Sequence, residues 1–88
     1  MMTLRRRHTA VVARQVDLDL LLLDTDAERI HQLNQTARFI WDHCDGGKSA
    51  DEIANLLADE FAVEPNVALN DVVATLKKLR ELDLVVDA

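Results

Sequence analysis

Three helix-start signals divide the second half of this chain and limit what it can fold into. Asn34 is a typical N-cap residue, and Ser49 with Glu52 forms a capping box, in which the glutamate reaches back to the serine N–H. Pro65 suits the first turn of a helix, where its missing N–H costs nothing. Because apolar residues at helical spacing follow each signal, we predict three consecutive helices.

Each predicted helix has one apolar stripe that can face a common core. The stripes are Ala37, Ile40, Trp41 and Cys44; Ile53, Leu56, Leu57 and Phe61; and Leu69, Val72, Leu76 and Leu79. Asp45-Gly46-Gly47 is predicted to end the first helix, with a glycine in the left-handed conformation. We interpret Trp41 as core packing and Cys44 as a small buried hydrophobe rather than a reactive thiol.

The first third of the chain is typical of β-structure. Its apolar, largely β-branched or leucine-rich runs are Ala10–Val16, Leu18–Leu23 and Glu28–Leu33. The connections between them are short, which favours antiparallel neighbours and places the last strand at an edge. The closing segment, Leu82–Val86, is predicted to be extended. The fold class is therefore α+β: a three-stranded antiparallel β-meander followed by three helices, similar in architecture to a winged helix-turn-helix.

Composition argues against an enzyme. A chain of 88 residues has little room for both a core and a catalytic cleft, and no spacing suggests a nucleophile and base pair. His8, His31 and His43 are scattered, and the single cysteine allows neither an internal disulfide nor a zinc site. Gly46-Gly47-Lys48-Ser49 lacks the earlier glycine of a phosphate loop. We predict no catalytic residue, no metal and no cofactor.

Charge and hydropathy suggest where the protein acts. Residues 1–14 carry four arginines and no acid, whereas the chain as a whole has a net charge of −6. We predict a flexible basic arm over residues 1–8 and one domain over 9–88. The acidic body disfavours nucleic acid, and the longest apolar run, Leu20–Leu23, cannot span a membrane. A cytoplasmic protein without a nucleic-acid or membrane partner is expected.

Several of these segments together resemble a known family. Residues from about 9 to 86 are similar to the coenzyme PQQ synthesis protein D family, the prototype of the element that recognises precursors of ribosomally made, post-translationally modified peptides (RiPPs). The resemblance is carried by Leu33-Asn34-Gln35-Thr36-Ala37 with Ile40-Trp41, by Cys44-Asp45-Gly46, by Ile53 with Leu56-Leu57 and Phe61, and by Asp71-Val72 with Leu76, Leu79 and Leu84.

The resemblance implies a chaperone-like, non-catalytic role. The leader of a precursor peptide would add as a further strand beside the third strand and the third helix, a mode called β-augmentation. The domain would then present the peptide to a modifying enzyme, such as a radical SAM enzyme or a leader peptidase. An exposed strand edge supports this independently, since its unpaired N–H and C=O groups can accept a guest strand.

The predicted peptide-binding residues lie on two elements. They are Glu28, Arg29, Ile30, His31, Gln32 and Leu33 on the third strand, and Val73, Leu76, Lys77 and Arg80 on the third helix. The alternative for Lys77 and Arg80 is that they are solvated cations near a helix C-terminus, where cations are favoured. Ile30 and Leu33 are both apolar but have opposite strand parity. Either the strand bulges or Leu33 already belongs to the turn before the helix.

Two other functions stay open on the sequence. A winged helix can bind DNA, although Asp51, Glu52, Asp59 and Glu60 on the second helix disfavour it. The exposed edge could instead pair with a second copy of the chain and form a homodimer. The run Leu20–Leu23 is compatible with self-association, because a strand in so small a domain cannot easily bury both faces.

Overall fold

The computed structural model describes residues 3–7 and 9–88. Its elements, in chain order, are β1 (Leu4–Arg6), β2 (Val11–Val16), β3 (Asp19–Asp24), β4 (Arg29–Leu33), α1 (Gln35–Asp42), α2 (Ala50–Phe61), α3 (Pro65–Glu81) and β5 (Val85–Asp87). The fold is α+β with three helices and antiparallel sheets, as the sequence predicts.

The central sheet is the expected meander. Its strand order is β2-β3-β4, so β2 and β4 are both edges. The register is continuous, with Leu20 opposite Leu33 and Leu23 opposite Ile30. Since side chains alternate along a strand, Leu20 and Leu22 face the helices and are buried, whereas Leu23 faces away. The four-leucine run thus splits between a packed face and an uncovered one.

The helices begin where the capping signals indicate. The Asn34 side chain accepts a hydrogen bond from the Ala37 N–H at 2.9 Å. Ser49 and Glu52 form both bonds of the capping box. Pro65 is the first residue of α3. The buried stripes meet the inner face of the sheet in one core that includes Ile40, Trp41, Cys44, Ile53, Leu57, Ala68, Val72, Leu79 and Leu84.

The first helix ends earlier than predicted. It closes at Asp42 with His43 as its C-cap, so Cys44 and Asp45-Gly46-Gly47 lie beyond it. Gly46 does have a positive φ of 86°, but in the loop after the helix. That loop lies alongside β1, and its Gly46 N–H donates a hydrogen bond to the Leu4 carbonyl of β1 at 3.0 Å. The segment stops short because its backbone groups bond to a neighbouring strand instead of continuing the helix.

The N-terminal segment differs from the predicted flexible arm over residues 1–8. Leu4–Arg6 forms strand β1, which pairs antiparallel with β5 at the other end of the described chain. Its second edge bonds to the loop after α1, where the Arg6 N–H donates to the Cys44 carbonyl at 2.9 Å. Residues 1, 2 and 8 lie outside the described residues. The arginines misled the prediction because β1 is held through its backbone and through Leu4, which packs on the core.

Candidate functional site

The open edge of β4 exposes the backbone of two residues. The Thr25 N–H donates to the Ala10 carbonyl at 2.9 Å, which makes that pair a hydrogen-bonded one. Bonded and non-bonded pairs alternate along antiparallel strands, so β3 bonds to β2 through Asp19, Leu21 and Leu23 and to β4 through the residues between them. It follows that Ile30 and Gln32 turn their N–H and C=O groups away from β3, toward the edge.

A groove runs between this edge and the third helix. We call it the β4–α3 groove; its volume is about 410 Å³. It is lined by Ile30, His31, Gln32, Leu33, Asn34, Ala37, Thr75, Lys78, Leu79, Leu82 and Leu84. Leu33, Leu79 and Leu84 are buried and supply an apolar floor. A volume of this size is typical of a ligand pocket and accommodates a few side chains.

The predicted strand residues fall into three positions. Glu28 is not part of the strand; it ends the preceding turn with a positive φ of 55°. Arg29, His31 and Leu33 point to the inner side, in register with Asp24, Leu22 and Leu20. Ile30 and Gln32 point to the outer face, where Ile30 is 68% exposed.

The parity conflict between Ile30 and Leu33 has a third solution that the sequence did not suggest. The strand does not bulge, and Leu33 is still a strand residue, paired with Leu20 and buried. The apolar residue that breaks the pattern is Ile30, which is left on the uncovered face. Sequence parity alone could not reveal this, because it assumes that an isoleucine in a small domain faces the core.

The predicted helix residues do not line this groove. Val73, Leu76, Lys77 and Arg80 line a second cavity, beside α2 and β1, on another side of α3. The residues of α3 that reach the β4–α3 groove are Thr75, Lys78 and Leu79, followed by Leu82 at the C-cap. The signal for them was present, since Thr75, Lys78 and Leu82 follow the helical spacing of three and four residues.

The turn before β4 is held by a buried carboxylate. Asp24, 3% exposed, accepts hydrogen bonds from the N–H groups of Asp26 and Ala27, both at 3.1 Å. The Arg7 guanidinium lies 2.7 Å from the same oxygen. The hydrogen bond from Ala27 and the charge of Arg7 hold the pKa of Asp24 below its usual value. The backbone N–H of Arg7 also donates a hydrogen bond to the Leu84 carbonyl at 3.0 Å. Arg7 thus connects the turn before β4 with the segment that leads into β5.

Two further titratable groups, Cys44 and Asp45, have pKa values that are shifted by burial or by a neighbouring side chain. Cys44 is 1% exposed, and burial raises the pKa of its thiol to about 11, so the thiol is protonated at neutral pH. A hydrogen bond from Lys48 lowers the pKa of Asp45. Within residues 3–7 and 9–88, no group of three or more His, Cys, Asp or Glu side chains is placed to hold a metal ion. None of the described helices is long and apolar enough to cross a membrane.

Fold and groove together define a small α+β domain whose sheet edge lies open beside a helix. A family model described as coenzyme PQQ synthesis protein D (PqqD) matches residues 19–85, most of the chain. The chain belongs to the PqqD family. No curated protein matches it.

Two solved structures have the same fold. One is a lasso peptide synthetase B1 complexed with the leader peptide, 30% identical with a TM-score of 0.81; the match covers 94% of this chain and 96% of that one. The other is TbiB1 in complex with the TbiA(beta) leader peptide, 23% identical with a TM-score of 0.79, covering 92% and 93%.

Proposed function

We propose that this domain binds the leader segment of a RiPP precursor as an added strand on β4 and delivers the peptide to a modifying enzyme. The observation that carries the proposal is that an open backbone edge, at Ile30 and Gln32, lies beside a groove with an apolar floor. Membership of the PqqD family and likeness to two proteins solved with leader peptides support it.

In this geometry the backbone of β4 would provide affinity, and the side chains of the groove would provide specificity. A guest strand would bond to the backbone of Ile30 and Gln32 whatever its own sequence. Guest side chains opposite Arg29, His31 and Leu33 would turn inward, because paired residues share a face of the sheet. There they would meet Leu79 and the other apolar side chains of the groove floor. Alternate residues of the leader would thus determine which precursor is accepted.

The domain would act without chemistry of its own. Tethering a flexible peptide beside an enzyme raises its effective concentration to roughly millimolar for a short linker. A radical SAM enzyme or a leader peptidase is the class of partner that the sequence resemblance implies. DNA binding by a winged helix and pairing of two copies along the edge stay predictions from the sequence.

Filling the groove tests the proposal directly. The Thr75→Trp substitution places a bulky ring in the β4–α3 groove, and we expect at least a tenfold loss of affinity for the leader, which is about 1.4 kcal/mol. The probe is the leader segment encoded by any short precursor gene found beside this one, titrated by calorimetry. Val73→Trp adds the same ring on another side of α3, where the residue is 51% exposed, and should leave leader affinity unchanged.

Either of two results would contradict the proposal. The first is that the unsubstituted domain binds no neighbouring leader saturably, and the second is that both tryptophan variants bind the leader as well as the parent. Circular dichroism of each variant ensures that the comparison is made between folded proteins.

A further inference from the structure

The second cavity lies on a side of α3 that the proposed leader site does not use. We call it the α2–α3 cavity; its volume is about 320 Å³. It is lined by Leu4, Lys48, Ala50, Ile53, Val73, Leu76, Lys77 and Arg80. Lys77 lines this cavity and the next residue, Lys78, lines the β4–α3 groove, so one helix separates two concave surfaces.

The two helices that form the cavity each carry an exposed aliphatic side chain. Val73 is 51% exposed, although it lies in the middle of α3. Leu56 is 38% exposed and lies about one helical turn beyond Ile53 on α2. Neither side chain belongs to the hydrophobic core or to the partly buried residues packed against it. Aliphatic side chains exposed on both helices suit a stretch of polypeptide better than a compact small molecule.

Cations gather at one end of this surface. Lys48 precedes the N-terminus of α2, and Lys77 and Arg80 lie in the C-terminal half of α3. Lys48 pairs with Asp45, and Arg80 pairs with Asp87 at 2.9 Å, with both acids partly exposed. Lys77 forms no ion pair with another described residue. The described lining of the cavity includes these three cations and no acidic side chain.

We infer that the α2–α3 cavity docks a segment of a partner protein in which acidic residues adjoin an apolar stretch. The carboxylates would meet Lys48, Lys77 and Arg80, and the apolar side chains would lie over Ile53, Leu76 and Val73. In keeping with the proposed function, on which this step rests, the partner is the enzyme that acts on the bound peptide. The leader and the enzyme would then occupy different sides of α3 at the same time.

Methyl NMR with synthetic peptides tests the inference on the full chain. The probe is an amidated peptide in which a block of glutamates is followed by leucines and alanines; matched peptides carry lysine or glutamine for glutamate, or serine for leucine. We expect saturable shifts of the Ile53, Val73 and Leu76 methyl signals with the acidic apolar peptide. Lys77→Glu should weaken its binding about fivefold, the effect of reversing a rim charge.

Lys78→Glu is the matched control, because it makes the same charge change on the other side of α3. It should leave the peptide titration unchanged. The inference is overturned if the lysine peptide binds equally well, if decanoate alone shifts these methyl signals, if light scattering shows that a second copy occupies the site, or if no peptide binds. A leader titration on the same sample reports separately on the proposed function, so the two can fail independently.

Discussion

The two edge strands of the meander are alike in backbone and unlike in surroundings. β2 and β4 flank β3, and each leaves alternate N–H and C=O groups unpaired. Five of the six residues of β2 are exposed. β4 ends in buried Leu33 and lies beside α3 across the β4–α3 groove. An unpaired edge alone is only a general hazard; a helix beside it supplies a floor that can select a guest.

The largest expected effect is on the free energy of unfolding, which depends on how well each edge strand packs on the core. Leu33→Ala removes a side chain that is 8% exposed and should lower the free energy of unfolding by about 2–5 kcal/mol. Val16→Ala, at the equivalent end of β2, removes one that is 48% exposed and should change it by less than about 0.5 kcal/mol. Urea unfolding measures both. Equal losses would mean that β2 is as well packed as β4.

The second prediction concerns the outward-facing backbone groups of β4. Gln32→Pro removes an N–H that faces outward, so the bonds to β3 remain while a guest strand loses a donor and meets the proline ring. We expect more than a tenfold loss of leader affinity, or about 1.4 kcal/mol. Ala13→Pro is the matched change on β2, since Ala13 also turns its backbone outward by the same alternation. It should leave affinity unchanged; if it weakens binding equally, the guest does not choose β4.

The sequence predicted only part of the fold and of the candidate site, for reasons tied to particular residues. Local signals succeeded where local chemistry decides, as at the Asn34 cap, the Ser49 capping box and Pro65. They failed at β1, where pairing with β5 joins opposite ends of the chain, and at Ile30, whose exposure depends on the absence of a covering layer. The sequence could not distinguish the two sides of α3 near its C-terminal end, because Lys77 and Lys78 are chemically identical and only packing against β4 or α2 separates them.

The smallest effect concerns how the start of β4 is fixed. Asp24 holds the β3–β4 turn through Ala27 and pairs with Arg7, whereas the β2–β3 turn at Asp17 and Leu18 is exposed. Because these contacts lower the pKa of Asp24 in the folded state, they stabilise the fold above its usual pKa of 3.8, and this contribution is lost as the pH falls through the lowered value.

Asp24→Asn should therefore lower the thermal midpoint at neutral pH and weaken leader binding by less than tenfold, since the turn that presents β4 is held less firmly. Below pH 3.8 the thermal midpoints of the variant and the parent should converge as Asp24 becomes protonated in the parent. Asp17→Asn, in the exposed β2–β3 turn, is the control and should change neither quantity. A deficit of Asp24→Asn that stays constant down to acid pH would show that the shape of the side chain, rather than its charge, fixes the start of β4.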